Sequence, residues 1–320
     1  MTHRKTSIKV SVLISAYNAA EYIEESLQSV LDQTYSNIEI LIMDDGSSDE
    51  TLYKVQQFSD SRISCFTQEN AGKPSAINYL IGVAQGEYLM IHDADDVSKS
   101  NRVACLLDGF DANPTVGLIL SSYSLILDGQ EVAPKPRAKG IQECCQDIAS
   151  YKMPGHDATM IVQAEFAKKM MFAPEIIVSH GHDFIVKVGE LTDIVVLSDV
   201  LYEYRIHTDS LTSRRYQEKL NELLIIVNSA KIRRSERTIT VEELLAARTQ
   251  EFGNKGYNLL GHFCESAFLL VQQHRRLEAI KVAILAATRV RETPLYLKPL
   301  AYALLPKFVG RLGKNYFGEG

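Results

Sequence analysis

The chain has 320 residues, 46% of them hydrophobic and 23% charged, with a formal net charge of −6. That much apolar material builds a sizeable core and argues against a disordered chain. The acidic balance argues against nucleic acid as a partner, because its binders usually carry a basic face.

Five cysteines (Cys65, Cys105, Cys144, Cys145 and Cys264) show neither paired nor zinc-ligand spacing and read as reduced thiols of a cytoplasmic protein. Residues 1–9 are polar and lead straight into a strand-like run, so no secretory signal is expected. A membrane-spanning helix needs about 18 or more apolar residues. The closest stretch, 294–312, is interrupted by Lys298, Pro299, Pro306 and Lys307.

In chain order, short apolar runs at 10–16, 38–43, 63–67, 88–91 and 117–126 alternate with helix-like stretches at 20–33, 49–58, 74–84 and 101–113. Strands apolar on both faces and interleaved with helices predict an α/β fold around a mostly parallel sheet. Residues 128–155 carry Gly, Pro and Lys and read as a long surface connection. Strands at 158–162 and 194–197 and helices at 164–171 and 182–191 are expected next. From about residue 214 apolar residues recur at helical spacing, as in Leu220, Leu223, Leu224 and Val227. The expected organisation is an α/β domain over 1–213, with halves 1–127 and 128–213, followed by a helical region over 214–320.

Sheets of this kind gather ligands at the C-terminal ends of their strands. The run His92-Asp93-Ala94-Asp95-Asp96 places three carboxylates just after a buried strand. Crowded acids repel one another unless a cation, donors or water offset the charge, and hard ions such as Mg²⁺ or Mn²⁺ prefer carboxylate oxygen. The alternative is a solvated acidic turn that caps the next helix. A second strand ends in Asp44-Asp45-Gly46-Ser47-Ser48-Asp49. There an aspartate can accept a hydrogen bond from a base or ribose, while Ser48 or Asp45 can cap a helix. Tyr17, closing the first strand, can lie against a nucleobase or serve as a core aromatic. Lys73, at a glycine-led helix start, can bring a cation to a phosphate or be a surface lysine.

Taken together, residues 10–18, then Asp44 to Asp49, then Asn70-Ala71-Gly72-Lys73-Pro74-Ser75-Ala76-Ile77-Asn78, then Gly86-Glu87-Tyr88 leading to Asp93-Ala94-Asp95-Asp96, closely resemble the family 2 glycosyltransferases. The order and spacing match over roughly the first 100 residues, with weaker similarity to about residue 213. The resemblance implies a GT-A fold, a nucleotide-sugar donor, Mn²⁺ or Mg²⁺, and inversion at the anomeric carbon. It makes 1–127 the donor half and 128–213 the acceptor half. It implies that Ser15, Tyr17, Asp45, Lys73 and Asp93 line the nucleoside and phosphate pocket. Asp93 and Asp95 match the D-x-D pair, with Asp95 the metal ligand and Asp96 a substitute for it.

Asp183, in Ser179-His180-Gly181-His182-Asp183-Phe184, matches the family's general base, although His182 stands where the family has an acid. Leu201-Tyr202-Glu203-Tyr204-Arg205-Ile206-His207 resembles its Tyr-Arg-x-His segment, which makes His207 a candidate for the diphosphate or the metal. Ile77 stands where many members have Arg, so Lys73 is expected to supply that charge.

The expected reaction moves a sugar from a nucleoside diphosphate, UDP being the first expectation by resemblance, to a hydroxyl of a glycan or lipid-linked acceptor. A non-catalytic nucleotide-sugar-binding or scaffold homologue is the alternative of a different class. A nucleotidyltransferase would want a Gly-rich loop after the first strand, and Ser15-Ala16-Tyr17-Asn18 supplies none. Residues 294–314 mix Leu, Tyr and Phe with Lys and Arg. They suit either an interfacial helix at the inner face of the membrane or plain packing against the domain.

Overall fold

The computed structural model describes residues 8–127, 130–205, 216–252 and Ile280. His207 and the 294–314 stretch lie outside the described residues. The first half runs β1 (Val10–Ala16), α1 (Ile23–Leu31), β2 (Ile38–Asp44), α2 (Thr51–Gln56), β3 (Ile63–Thr67), α3 (Lys73–Val83), β4 (Tyr88–Asp93), β5 (Val97–Ser98), α4 (Arg102–Ala112) and β6 (Val116–Leu127). There follow β7 (Gln130–Lys135), α5 (Ile141–Ala149), a single 3-10 turn (Asp157–Thr159), β8 (Ile161–Gln163), α6 (Ala164–Met170), α7 (His180–Gly189), β9 (Asp193–Arg205), α8 (Tyr216–Arg233) and α9 (Val241–Phe252).

One mixed sheet runs in the order β3-β2-β1-β4-β8-β6-β9-β5, with β7 against β6. Strands β1 to β4 are parallel to their neighbours. Beyond β4 the direction changes, because β8 pairs antiparallel with both β4 and β6. The parallel part of the expected α/β sheet is thus its first half, and the strands beyond β4 add antiparallel pairs. Ligands of open α/β sheets collect where the strand pattern switches. The acidic cluster is carried by the last residue of β4 and the turn after it.

Alternation along the strands explains how both faces are covered. Val12 and Ile14 of β1 face one way and pack with Ile23, Leu27 and Val30 of α1 and with Val103 and Leu106 of α4. Leu13 faces the other way, among Ile77 and Leu80 of α3 and Phe184 and Val188 of α7. Each such buried side chain contributes roughly 1.5–3 kcal/mol relative to exposure. Gly86, of the Gly86-Glu87-Tyr88 signature, allows the chain to enter β4 against β1. A Cβ there would stand 2.5 Å from Ser11 N. Its N–H donates to Ser11 Oγ at 2.8 Å.

Two compact units divide the chain. The first comprises Met1–Ser124, Pro134–Arg205 and Gln217–Thr238, and the second Leu125–Ala133, Ile206–Tyr216 and Ile239–Gly320. The first unit therefore extends past residue 213 and takes in most of α8. Glu222 of α8 is buried and accepts hydrogen bonds from the backbone N–H groups of Ile177, Val178 and Ser179 at 2.7–3.1 Å. It thereby holds the loop that leads into α7. In the second unit, Thr240 and Glu243 form a reciprocal cap at the start of α9.

The 128–155 stretch is not a plain surface connection, since it contains β7 and α5. In α5, Ile141, Cys144 and Ile148 fall on one face, and Cys144 is fully buried. No helix among the described residues is long and apolar enough to cross a membrane.

Candidate active site

The site is built where β1, β2 and β4 end. Ser15 of β1 stands in register with Asp93 of β4 and Met43 of β2 and is partly exposed. Tyr17 follows, with 53% of its surface exposed, and so is not a core aromatic. Asn18 adopts a left-handed conformation with φ 49°. Its Oδ1 accepts from Ser48 N at 2.8 Å and its N–H donates to Ser47 Oγ at 3.0 Å, joining the turns after β1 and β2.

Asp45 is buried, and both its oxygens are engaged. It accepts from Ala71 N and Gly72 N, each at 2.9 Å, and from Gln68 Nε2 at 2.7 Å. Its role here is to shape the loop that starts α3. Gly46, at φ 75°, lies against that loop, and a Cβ there would come 2.8 Å from Asn70 N. Gly72, at φ 83°, precedes Lys73 and Pro74 in the first turn of α3, where the fixed φ of proline is suitable.

Lys73 Nζ reaches Asp93 Oδ1 at 2.6 Å, with 28% and 20% of the two side chains exposed. Burial alone would lower the Lys73 ammonium, but Asp93 and then Asp157 outweigh it and hold it at about 12. Burial would raise the Asp93 carboxyl, and Lys73 brings it below the ordinary range. Ligand oxygens of Asp93, Asp95 and Asp96 converge within 4.8 Å of one another. A set of three hard oxygen donors suits Mg²⁺ or Mn²⁺.

The three acids are not equivalent. Asp96 is fully buried, and its Oδ1 accepts from Arg205 N at 2.8 Å. Burial, then Asp95 and Asp93, push its carboxyl well above the usual range. Arg205 also donates through Nε to Asp95 O at 2.7 Å and pairs with Glu25 at 2.6 Å. Asp96 thus fastens the turn, and Asp93 and Asp95 are the partly exposed pair.

Behind Asp93, on the opposite face of β4, His92 is fully buried between Ser26 Oγ (3.0 Å) and Ser98 Oγ (3.2 Å). Burial, then the neighbouring Arg102 guanidinium, lower its imidazole to about 3. Arg102 is itself fully buried, and burial lowers it to about 10. It donates to Ile91 O at 3.0 Å and Ala158 O at 2.9 Å and lies 4.4 Å over the Tyr202 ring.

Asp183 sits in the first turn of α7, 3% exposed, with Lys187 Nζ 2.8 Å from its Oδ2. The structure brings Ser15, Tyr17, Lys73, Asp93 and Asp95 to one end of the sheet and leaves Asp183 covered beside its lysine. His182, which stands where the resemblance calls for an acid, meets Tyr151 O at 2.8 Å.

Three further residues were not singled out from the sequence: His156, Asp157 and His180. His156 and Asp157 precede β8, and their nearness to Asp93 has meaning only once β8 is seen to pair with β4. Burial would raise the Asp157 carboxyl, but His156, His180 and Lys73 bring it below its ordinary range. The His156 ring lies 4.8 Å from both Tyr123 and Tyr204.

The Glycosyl transferase family 2 model matches residues 11–168, the segment that carries Ser15, Tyr17, Lys73, Asp93 and Asp95. Among curated relatives, the Escherichia coli UDP-Glc:alpha-D-GlcNAc-diphosphoundecaprenol beta-1,3-glucosyltransferase WfgD is 37% identical over 131 residues. That alignment covers 39% of this chain and 51% of WfgD, so the chain matches about half the length of that relative. Among solved structures, Staphylococcus aureus TarS 1-349 in complex with UDP-GlcNAc is similar at a TM-score of 0.62 and 18% identity, over 96% of this chain and 93% of that one. The mannosyltransferase PcManGT from Pyrobaculum calidifontis, in complex with GDP-Man and Mn²⁺, reaches 0.54 at 18% identity, over 99% and 90%. These two show a shared α/β fold. The matched family model and the residues at the strand ends agree: residues 11–168 form a glycosyl transferase family 2 domain, and the chain is a glycosyltransferase.

Proposed function

We propose that this enzyme is an inverting, metal-dependent transferase that takes a sugar from a nucleoside diphosphate donor, UDP first among them, to a hydroxyl of a glycan or lipid-linked glycan. The observation that carries the reading is the Lys73–Asp93–Asp95 group at the end of β4, in a chain of this family. The nucleotide-sugar complex of TarS and the GDP-Man and Mn²⁺ complex of PcManGT support the donor and the metal. The name of WfgD supports a lipid-linked acceptor.

In this reading Tyr17 lies against the base and Ser15 lines the pocket beside it. Asp93 and Asp95 hold a divalent ion, which when bound offsets the charge on the departing diphosphate. Lys73 adds a fixed cation beside it. Asp183 takes the proton from the acceptor hydroxyl as that oxygen attacks the anomeric carbon. Its N-terminal place on α7 supports the assignment, and its cover by Lys187 means that the acceptor must displace that lysine.

The test is titration of UDP, dTDP and GDP with Mn²⁺ or with EDTA, beside transfer assays of Asp183→Asn. Metal-dependent binding of one nucleotide is expected. The variant should keep that binding and lose about 10²–10⁴-fold in transfer, the range of general base catalysis. Binding of no nucleotide would sink the donor reading. Near-native transfer by Asp183→Asn would move the base to another residue.

A further inference from the structure

We propose that Asp157, seated on Gly181 and flanked by His156 and His180, grips the hydroxyls of the donor's sugar ring and selects a neutral sugar. The inference rests on the nucleotide-sugar reading above and adds the residue that recognises the sugar.

Asp157 is fixed relative to the metal ligands by the sheet itself. The turn that carries it leads into β8, which pairs with β4 from Met90↔Ile161 to Tyr88↔Gln163. Ile91 N donates to Met160 O at 3.2 Å, continuing the pairing toward Asp93. Arg102 then bridges the two segments, since one of its nitrogens donates to both Ile91 O and Ala158 O. The turn cannot slide along β4 without breaking a buried guanidinium contact.

The carboxylate is equally constrained from the other side. A Cβ on Gly181 would stand 1.9 Å from Asp157 Oδ2 and 2.4 Å from its Cγ, so only glycine admits the side chain in this place. His156 Nδ1 lies 3.5 Å from Oδ1, and the two side chains keep 22% and 29% of their surface exposed. His180, one residue before Gly181, presents Nδ1 to Ile177 O at 2.8 Å. That contact makes Nδ1 the protonated nitrogen and leaves Nε2 an acceptor. The result is a partly exposed carboxylate with an imidazole on either side.

Its location decides what it meets. The turn that carries Asp157 packs against β4, which ends in Asp93, the partner of Lys73, and against α7. A diphosphate held at Lys73 and Asp93 carries its sugar on the outer phosphate, so the ring falls among the groups that flank this pair. Carboxylate oxygens accept from adjacent hydroxyls in charge-assisted hydrogen bonds. A sugar bearing its own carboxylate meets like charge there, which is selection by repulsion.

The experiment compares the affinity of nucleotide alone with that of nucleotide sugar. Calorimetric titrations in Mn²⁺ would use UDP, UDP-glucose, UDP-GlcNAc, UDP-glucuronate, GDP and GDP-mannose on wild type, Asp157→Asn and Gly181→Ala. The wild type should bind one neutral nucleotide sugar more tightly than the bare nucleotide. Asp157→Asn, nearly isosteric, should leave the bare nucleotide no weaker, weaken the sugar conjugate tenfold or more, and narrow the gap to UDP-glucuronate. Gly181→Ala should reproduce the loss by pushing the carboxylate from its seat. An unchanged ratio of conjugate to nucleotide affinity in Asp157→Asn would overturn the proposal while the donor reading stands. Failure of wild type to bind any of the six would overturn both.

Discussion

β4 ends in two titratable groups on opposite faces, and the fold treats them in opposite ways. On one face His92 and Arg102 are fully buried and bond to two serines and two carbonyls, with the buried Tyr202 ring beneath the guanidinium. On the other, Lys73, Asp93 and Asp95 remain partly open to solvent. Neighbouring residues of a strand point to opposite sides, so a single step from His92 to Asp93 separates a sealed network from an open one. The sealed face fixes where the strand end and the turn at residue 158 lie. The open face keeps its charges for a ligand. Position and reactivity are assigned to different residues of the same strand.

Breaking the open face should affect function and spare the fold. Asp95→Asn is expected to cost on the order of a thousandfold or more in transfer, because a metal supplies several kcal/mol of stabilisation to a departing phosphate. Its melting temperature should stay near wild type. A matching loss of melting temperature would show that the two faces are not separate.

Breaking the sealed face should do the reverse. Arg102→Leu leaves Ile91 O and Ala158 O without their donor in a buried setting, at about 1–3 kcal/mol for each unsatisfied group. Denaturant midpoints should fall accordingly, and donor affinity should weaken only through the shift of the turn.

The rim of the open face gives a smaller effect. Tyr17→Ala removes an exposed ring, so stability should not change, while nucleotide affinity should drop about tenfold if the ring stacks on the base.

A control far from both faces sharpens the contrast. Burial pushes the Cys144 thiol up to about 12 from an ordinary value of 9. The thiol stays neutral in the folded state while the unfolded chain ionises above pH 9. Its contribution is therefore complete below pH 9 and lost between pH 9 and 12, at about 1.4 kcal/mol per pH unit. Unfolding free energies from urea titrations at pH 8 and pH 10 should differ by about that amount, and Cys144→Ala should reduce the difference.

The first half of the chain was legible because its strands are continuous apolar runs that stop at polar turns. That punctuation marked Asp93, Asp95 and Lys73 as candidates, and the family resemblance supplied their roles. The stretch 128–155 was not, since α5 shows only Ile141, Cys144 and Ile148 on its buried face among polar neighbours. β9 was read as ending at residue 197, because the exposed Ser198 and Asp199 interrupt a strand that continues to Arg205. Burial of Asp183 was not visible, because an acid four residues before a lysine is equally at home on an exposed helix face. Asp157 could not be found at all without knowing that β8 lies against β4.

Arg205 gives the molecule an order of assembly. Its backbone N–H and side chain hold Asp96 and Asp95 O from 109 and 110 positions further along the sequence. Closing so long a loop precedes any gain from the contact. During synthesis, β4 can emerge and pair with β1 long before its acidic turn is secured. The convergence of the three carboxylates is then among the last features to form, and an incomplete chain would carry the aspartates without the shape that brings them together.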